Sequence, residues 1–178
     1  MVLLACGGSS SESPVGRSVR EPDPRAIEMS LRRPNGDWIH LGDLRGKPVL
    51  LFVFATFDGV SQAALRPLRR FARDHPDVHV IGVAAQPDAN QLLDPYEHAL
   101  APPFPLTYDP ARDVHHGTSP LGLIEAVPTF IMYDARGMEV DRHIGFPSSH
   151  TLPRLRARAI RRGGLTRGES EEVPLLAD

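Results

Sequence analysis

The segment Val49-Leu-Leu-Phe-Val-Phe-Ala-Thr-Phe57 is almost unbroken in its apolar character, rich in β-branched and aromatic side chains, and bounded by Pro48 and by Asp58-Gly59. This is the profile of a central strand buried on both faces. Residues 59–73 then switch to helical spacing, with Val60, Ala64, Leu68 and Phe71 on one side and Arg66, Arg69, Arg70 and Arg73 largely elsewhere. Pro76 stops the helix, and Val78-His-Val-Ile-Gly-Val83 supplies a second short strand. The three pieces predict a βαβ unit with a right-handed crossover. Upstream, residues 37–40 predict a short strand and 41–48 a turn-rich connection. Downstream, residues 88–100 predict a helix carrying Leu92, Leu93, Tyr96 and Leu100, with Pro95 near its start or bending it. A proline-rich stretch, 101–105, leads to a strand at 106–108 and a short helix near 111–117. Segments 127–133 and 138–144 flank Asp134-Ala-Arg-Gly137, a strand–turn–strand pattern with glycine placed for positive φ. A last helix is expected over 149–162, ended by two glycines.

Composition narrows the function. The 178 residues carry 20 Lys+Arg against 22 Asp+Glu, a net charge of −2, so no global basic field gathers phosphate backbones and nucleic acid is not an expected partner. Lys47 is the only lysine, a skew that a GC-rich coding sequence accounts for more simply than selection of guanidinium groups. A single cysteine cannot form an intramolecular disulfide, a CxxC pair, or a Cys-rich zinc or iron–sulfur site.

That cysteine stands in the leader Met1-Val-Leu-Leu-Ala-Cys6, ahead of a Gly/Ser-rich run and a Pro- and Arg-containing stretch without hydrophobic period. Leu3-Leu-Ala-Cys6 resembles the lipobox of bacterial lipoproteins. Only five residues precede Cys6, so this reading requires a start inside a longer signal. It implies lipidation at Cys6 and a domain held outside the cytoplasm, periplasmic or on a membrane face. The expected organisation is a tether over 1–26, one domain over 27–164 and a tail over 165–178.

Over residues 37–162 the order β, βαβ, α, ββ, α is that of thioredoxin-like domains. Leu41-Gly-Asp-Leu-Arg-Gly-Lys-Pro-Val-Leu-Leu-Phe-Val-Phe-Ala-Thr-Phe57 resembles the L-x-D-L-x-G-K-P-V-L-L-N-F-W-A-T-W lead-in of the TlpA/ResA-type redoxins, relatives of the AhpC/TSA group. Leu106-Thr-Tyr-Asp-Pro110 resembles their P-V-L-x-D-P segment, and Ala126-Val-Pro-Thr-Phe-Ile-Met-Tyr-Asp-Ala-Arg-Gly137 their V-P-T-T-F-L-I-D-x-x-G. The resemblance implies an α/β fold, a thioredoxin-like three-layer α/β/α sandwich with a central mixed sheet. It also implies thiol–disulfide chemistry in a CxxC directly after the lead-in, where this chain has Asp58-Gly59-Val60-Ser61. No cysteine occurs between residues 7 and 178.

Disulfide exchange needs a thiolate and a second thiol to resolve the mixed disulfide. Asp58 suits a helix N-cap instead, worth on the order of 1 kcal/mol. No catalytic residue is therefore assigned, and positions 58 and 61 are a degenerate CxxC. In the relatives the proline corresponding to Pro128 is cis and lies beside the redox site. The resemblance thus implies a peptide-binding groove of Phe57, Asp58, Gly59, Val60, Ser61, Val127, Pro128 and Thr129, open to β-augmentation without chemistry. Structural readings stand beside these: Pro128 as a strand-setting turn, and Glu125 as a turn cap or a pocket carboxylate.

The histidines give no ligand spacing. His115 and His116 are adjacent, and Pro76 separates His75 from His79, so a metal at His115, His116 and Asp113 would need another ligand brought by the fold. The expected function is a monomeric, cofactor-free binding or scaffolding module for a protein or peptide, with membrane association through Cys6. The alternatives are residual thiol–disulfide or antioxidant redoxin activity, and histidine-based metal handling. The Arg154–Arg162 stretch reads as a solvated helix face, with attraction to anionic lipid as the alternative.

Overall fold

In strand β3 (Val49–Phe54) every residue is buried. Side chains alternate across a strand, so Leu50, Phe52 and Phe54 enter one core while Val49, Leu51 and Val53 enter another. The computed structural model describes residues 23–164. Cys6, most of the expected tether and the expected tail lie outside the described residues.

The described chain runs β1 (Ser30–Arg32), β2 (Trp38–His40), a 3₁₀ turn (Leu41–Leu44), β3, α1 (Gly59–Asp74), β4 (His79–Ala84), α2 (Ala89–Leu100), β5 (Leu106–Tyr108), α3 (Asp113–His116), β6 (Thr129–Tyr133), β7 (Glu139–Ile144) and α4 (Thr151–Gly164). The strands form one seven-stranded sheet in the order β2-β1-β5-β4-β3-β6-β7. It is mixed: β3 pairs parallel with β4 and β4 with β5, whereas β3–β6, β6–β7, β1–β2 and β1–β5 are antiparallel. The expected α/β architecture is present.

Helices α1, α2 and α4 cover one face, their Leu68, Leu93 and Leu155 meeting Phe52 and Phe130. Phe52 stacks on Phe54 and Phe130 at ring separations of 5.0 and 5.2 Å. The other face is covered more thinly, by Leu41 of the 3₁₀ turn, Val114 of α3, and Ile27 and Leu121 from connections. Gly82, in β4, is required for space. A Cβ there would lie 2.5 Å from a Leu106 methyl carbon and 3.2 Å from the Phe54 ring.

Two sequence expectations shift. The strand expected over 49–57 ends at Phe54, because residues 55–58 turn into α1, with the Asp58 N–H donating to the Ala55 carbonyl at 3.2 Å. Strand β1 falls in a stretch not read as regular: it is three residues long and buries only Leu31, too little for a detectable period. Gly137 does take positive φ, 84°, in the β6–β7 turn.

Candidate functional site

The α1 N-terminus lies at the end of β3, at the same end of the sheet as the start of β6. Val53 pairs with Thr129, so the chain leaving β3 runs beside Val127–Pro128. The Val127–Pro128 peptide bond is cis. The Pro128 carbonyl accepts from the Gly145 N–H at 2.8 Å, which places the β7–α4 connection and Phe146 next to it. The Thr129 hydroxyl donates to the Ala126 carbonyl at 2.6 Å and closes the turn before β6. Among the described residues no hydrogen bond reaches the Val127 N–H or C=O.

Asp58 is the N-cap of α1. Its backbone is extended, and its carboxylate accepts from the Ser61 N–H at 2.6 Å, satisfying a donor that the helix leaves open. Ser61 is fully buried, and its hydroxyl has no partner among the described residues. Among the described residues no base is hydrogen-bonded to that hydroxyl to activate it as a nucleophile. Phe57 is 76% exposed and Phe146 55%, and Val60, Leu123 and Ile144 also present apolar surface.

Three polar residues that hold this loop escaped the sequence reading. Gln86, buried just beyond β4, accepts through Oε1 from the Thr56 N–H at 2.6 Å and the Thr56 hydroxyl at 3.0 Å, and donates through Nε2 to Asp88 at 2.9 Å. Gln62 donates to the Thr56 carbonyl at 2.8 Å. The only local sign was a glutamine ending an apolar run before Pro87. Replacing Gln86 with leucine is expected to cost about 1–3 kcal/mol, because the Thr56 donors lose their acceptor. Urea unfolding checks this, together with faster hydrogen exchange at the Thr56 amide; an unchanged exchange rate would show that Gln86 does not clamp the loop.

Tyr96 of α2 stacks on Phe54 at 5.6 Å, and its buried hydroxyl has no partner among the described residues. Burial pushes its phenol up, Arg69 opposes that, and the Asp58 carboxylate adds to it.

The remaining candidates do not join this cluster. His115 and His116 are exposed on α3 with ring centroids 5.2 Å apart, and Asp113 is engaged by the Thr118 hydroxyl at 3.1 Å. Among the described residues no group of three or more His, Cys, Asp or Glu side chains is placed to hold a metal. Glu125 is exposed, and its charge is felt by Arg142. A cavity of about 440 Å³ lies elsewhere, at the β2 edge, lined by residues including Arg33, Trp38, Glu97 and Phe104, and Arg33 there pairs with Glu97 at 3.5 Å. We place the candidate site at the α1 N-terminus despite that cavity, because exposed apolar side chains and unpaired main chain coincide there.

No family model matches the chain. No curated protein matches it by sequence either. Solved structures do match. The exposed lipoprotein thioredoxin of Streptococcus pneumoniae is 22% identical, with 74% of this chain and 99% of that chain covered at a TM-score of 0.60. A thiol:disulfide interchange protein of the thioredoxin family from Chlorobium tepidum is 18% identical, covering 80% and 99% at 0.64. StoA of Bacillus subtilis is 17% identical, covering 72% and 96% at 0.57. The fold of this chain is thioredoxin-like.

Proposed function

We propose that this thioredoxin-like domain binds an extended protein or peptide segment at the α1 N-terminus, and that it performs none of the disulfide chemistry for which several of its structural neighbours are named. One observation carries the reading: the α1 N-terminus holds Asp58 and Ser61 in place of thiols, the carboxylate engaged as a cap and the hydroxyl buried. Around them Phe57 and Phe146 are exposed and the Val127 main chain is unpaired among the described residues. An extended segment gains main-chain hydrogen bonds at such an edge and side-chain contacts from the aromatics. The proposed groove presents Phe57, Asp58, Gly59, Val60 and Val127, with the buried Ser61, Pro128 and Thr129 forming its floor, in a domain spanning 27–164. We further propose a lipid on Cys6 and a location outside the cytoplasm, supported by the lipobox-like leader and by the neighbour named as an exposed lipoprotein. Among the described residues no helix is long and apolar enough to cross a membrane.

The test is an NMR titration of the full chain with a reduced, carboxymethylated unfolded polypeptide, beside an insulin-reduction assay. Expected are shifts at residues 57–61 and 127–129, about a tenfold or greater weakening on Phe57→Ala or Phe146→Ala, and insulin reduction at the uncatalysed rate. Catalysed reduction by the native chain, or shifts confined to another face, would overturn the reading.

A further inference from the structure

Charge is segregated on this domain to a degree that the net value hides. Helices α1 and α4 carry nine arginines and one acidic residue, Asp74, whereas the other described residues carry eight basic side chains against fifteen acidic ones. A GC-rich coding sequence would account for arginine in place of lysine, but not for the near absence of acids from these two helices. The helices contact one another and cover the same face of the sheet, so their outer surfaces form one layer.

Several of the nine arginines are occupied. Arg156 pairs with Asp77 at 2.7 Å, Arg158 with Asp141, and Arg70 with Asp74 at 3.5 Å, while Arg69 donates to the Leu100 carbonyl and Arg162 to the Glu139 carbonyl. Arg66, Arg73, Arg154 and Arg161 are exposed, and their side chains have no partner among the described residues. Each helix thus offers two free guanidinium groups seven residues apart, which brings them to the same side about 10.5 Å along the axis. Ile160, 43% exposed on α4, lies in the same layer.

We infer that this α1–α4 face docks on an anionic lipid surface. The free cations are spread in two dimensions over two helices, and among the described residues no protruding helix or ribbon stands ready to enter a nucleic-acid groove. A plane of headgroups meets such an array, and the headgroup–acyl boundary accepts an apolar side chain such as Ile160. Arginine near an anionic leaflet contributes through attraction that salt screens. The acidic remainder of the domain is repelled from the same surface, so the charge distribution also orients the molecule. This inference is independent of the peptide groove, because none of the four arginines lies in it.

The test is co-sedimentation of the full chain carrying Cys6→Ser, which removes any lipid, with phosphatidylglycerol/phosphatidylcholine vesicles and with phosphatidylcholine vesicles. Binding is expected to the anionic vesicles only, at low salt, and to be lost at high salt. The combined variant Arg66→Gln, Arg73→Gln, Arg154→Gln, Arg161→Gln should bind about 100-fold more weakly or worse. A charge-matched control, Arg25→Gln, Lys47→Gln, Arg112→Gln, Arg136→Gln, should retain binding, and changing the two arginines of one helix should give an intermediate loss. Circular dichroism confirms that each variant is folded. Absence of low-salt binding, equal loss in the matched control, or displacement of the protein from vesicles by a DNA duplex would overturn the inference.

Discussion

The double substitution Asp58→Cys, Ser61→Cys is expected to give this chain thiol–disulfide exchange activity above that of the native protein, which has no cysteine at either position. Residue 58 stands at the N-cap of α1, where open N–H groups and the helix dipole favour a negative charge. A thiol there should fall from about 8.5 toward 7 and supply thiolate at neutral pH. Residues i and i+3 across the first turn of a helix bring their Cα atoms within the roughly 4.4–6.8 Å window of a disulfide. The Ser61 hydroxyl is buried and unpartnered among the described residues, so a sulfur at that position forfeits no hydrogen bond. Loss of the Asp58 cap costs about 1 kcal/mol, small beside the stability of a typical domain.

The chemistry balances. The thiolate introduced at position 58 attacks one sulfur of an insulin disulfide and releases the other as an insulin thiolate. The thiol introduced at position 61 then displaces the second insulin thiolate from the mixed disulfide, and dithiothreitol reduces the disulfide left in the protein. Turbidity from precipitating insulin chains should therefore rise earlier with the double variant than with the native chain or either single variant. If the variant forms its intramolecular disulfide and still fails to accelerate insulin reduction, missing thiols are not what separates this site from a working one.

The largest loss of stability is expected at Phe52→Ala. Phe52 is fully buried between Phe54 and Phe130 at the centre of the sheet, and the helices α1, α2 and α4 close over this cluster. Deleting the ring removes its transfer free energy and leaves a cavity that paired strands on both sides cannot collapse, a cost of about 3–5 kcal/mol. At about 2–4 °C per kcal/mol for a domain of this size, Tm should fall by about 6–20 °C. Phe57→Ala, three residues beyond β3 but exposed, should move stability by no more than about 0.5 kcal/mol. Urea unfolding of the two variants side by side checks the contrast. Similar losses at both positions would contradict the assignment of Phe52 to the core and Phe57 to the exposed surface.

The contrast also marks how far the residues could be read alone. Phe52 and Phe57 belong to one apolar run, and the run predicts a buried strand without saying where burial ends. The end is set by the Ala55–Asp58 turn and by Gln86, thirty residues later, whose side chain holds Thr56. Nothing local marks that glutamine as structural. Asp58 was legible, because a cap acts on the turn that follows it and sequence distance equals spatial distance there. So was the absence of thiols at positions 58 and 61, since the one cysteine stands in the leader.

The sequence by itself therefore determined the element order from β2 onward, the both-faces burial of β3, the capped start of α1 and the lack of thiols beside it. Each follows from spacing within a few residues or from composition. The tertiary structure decided that β1 joins the sheet between β2 and β5, that Gln86 fastens the loop before α1, and that Phe146 comes beside Pro128. It also decided that α1 and α4 share one face, turning scattered arginines into a single basic surface. These contacts join residues dozens of positions apart. They depend on strand register and on which face each helix covers, and neither is written in the local period of the chain.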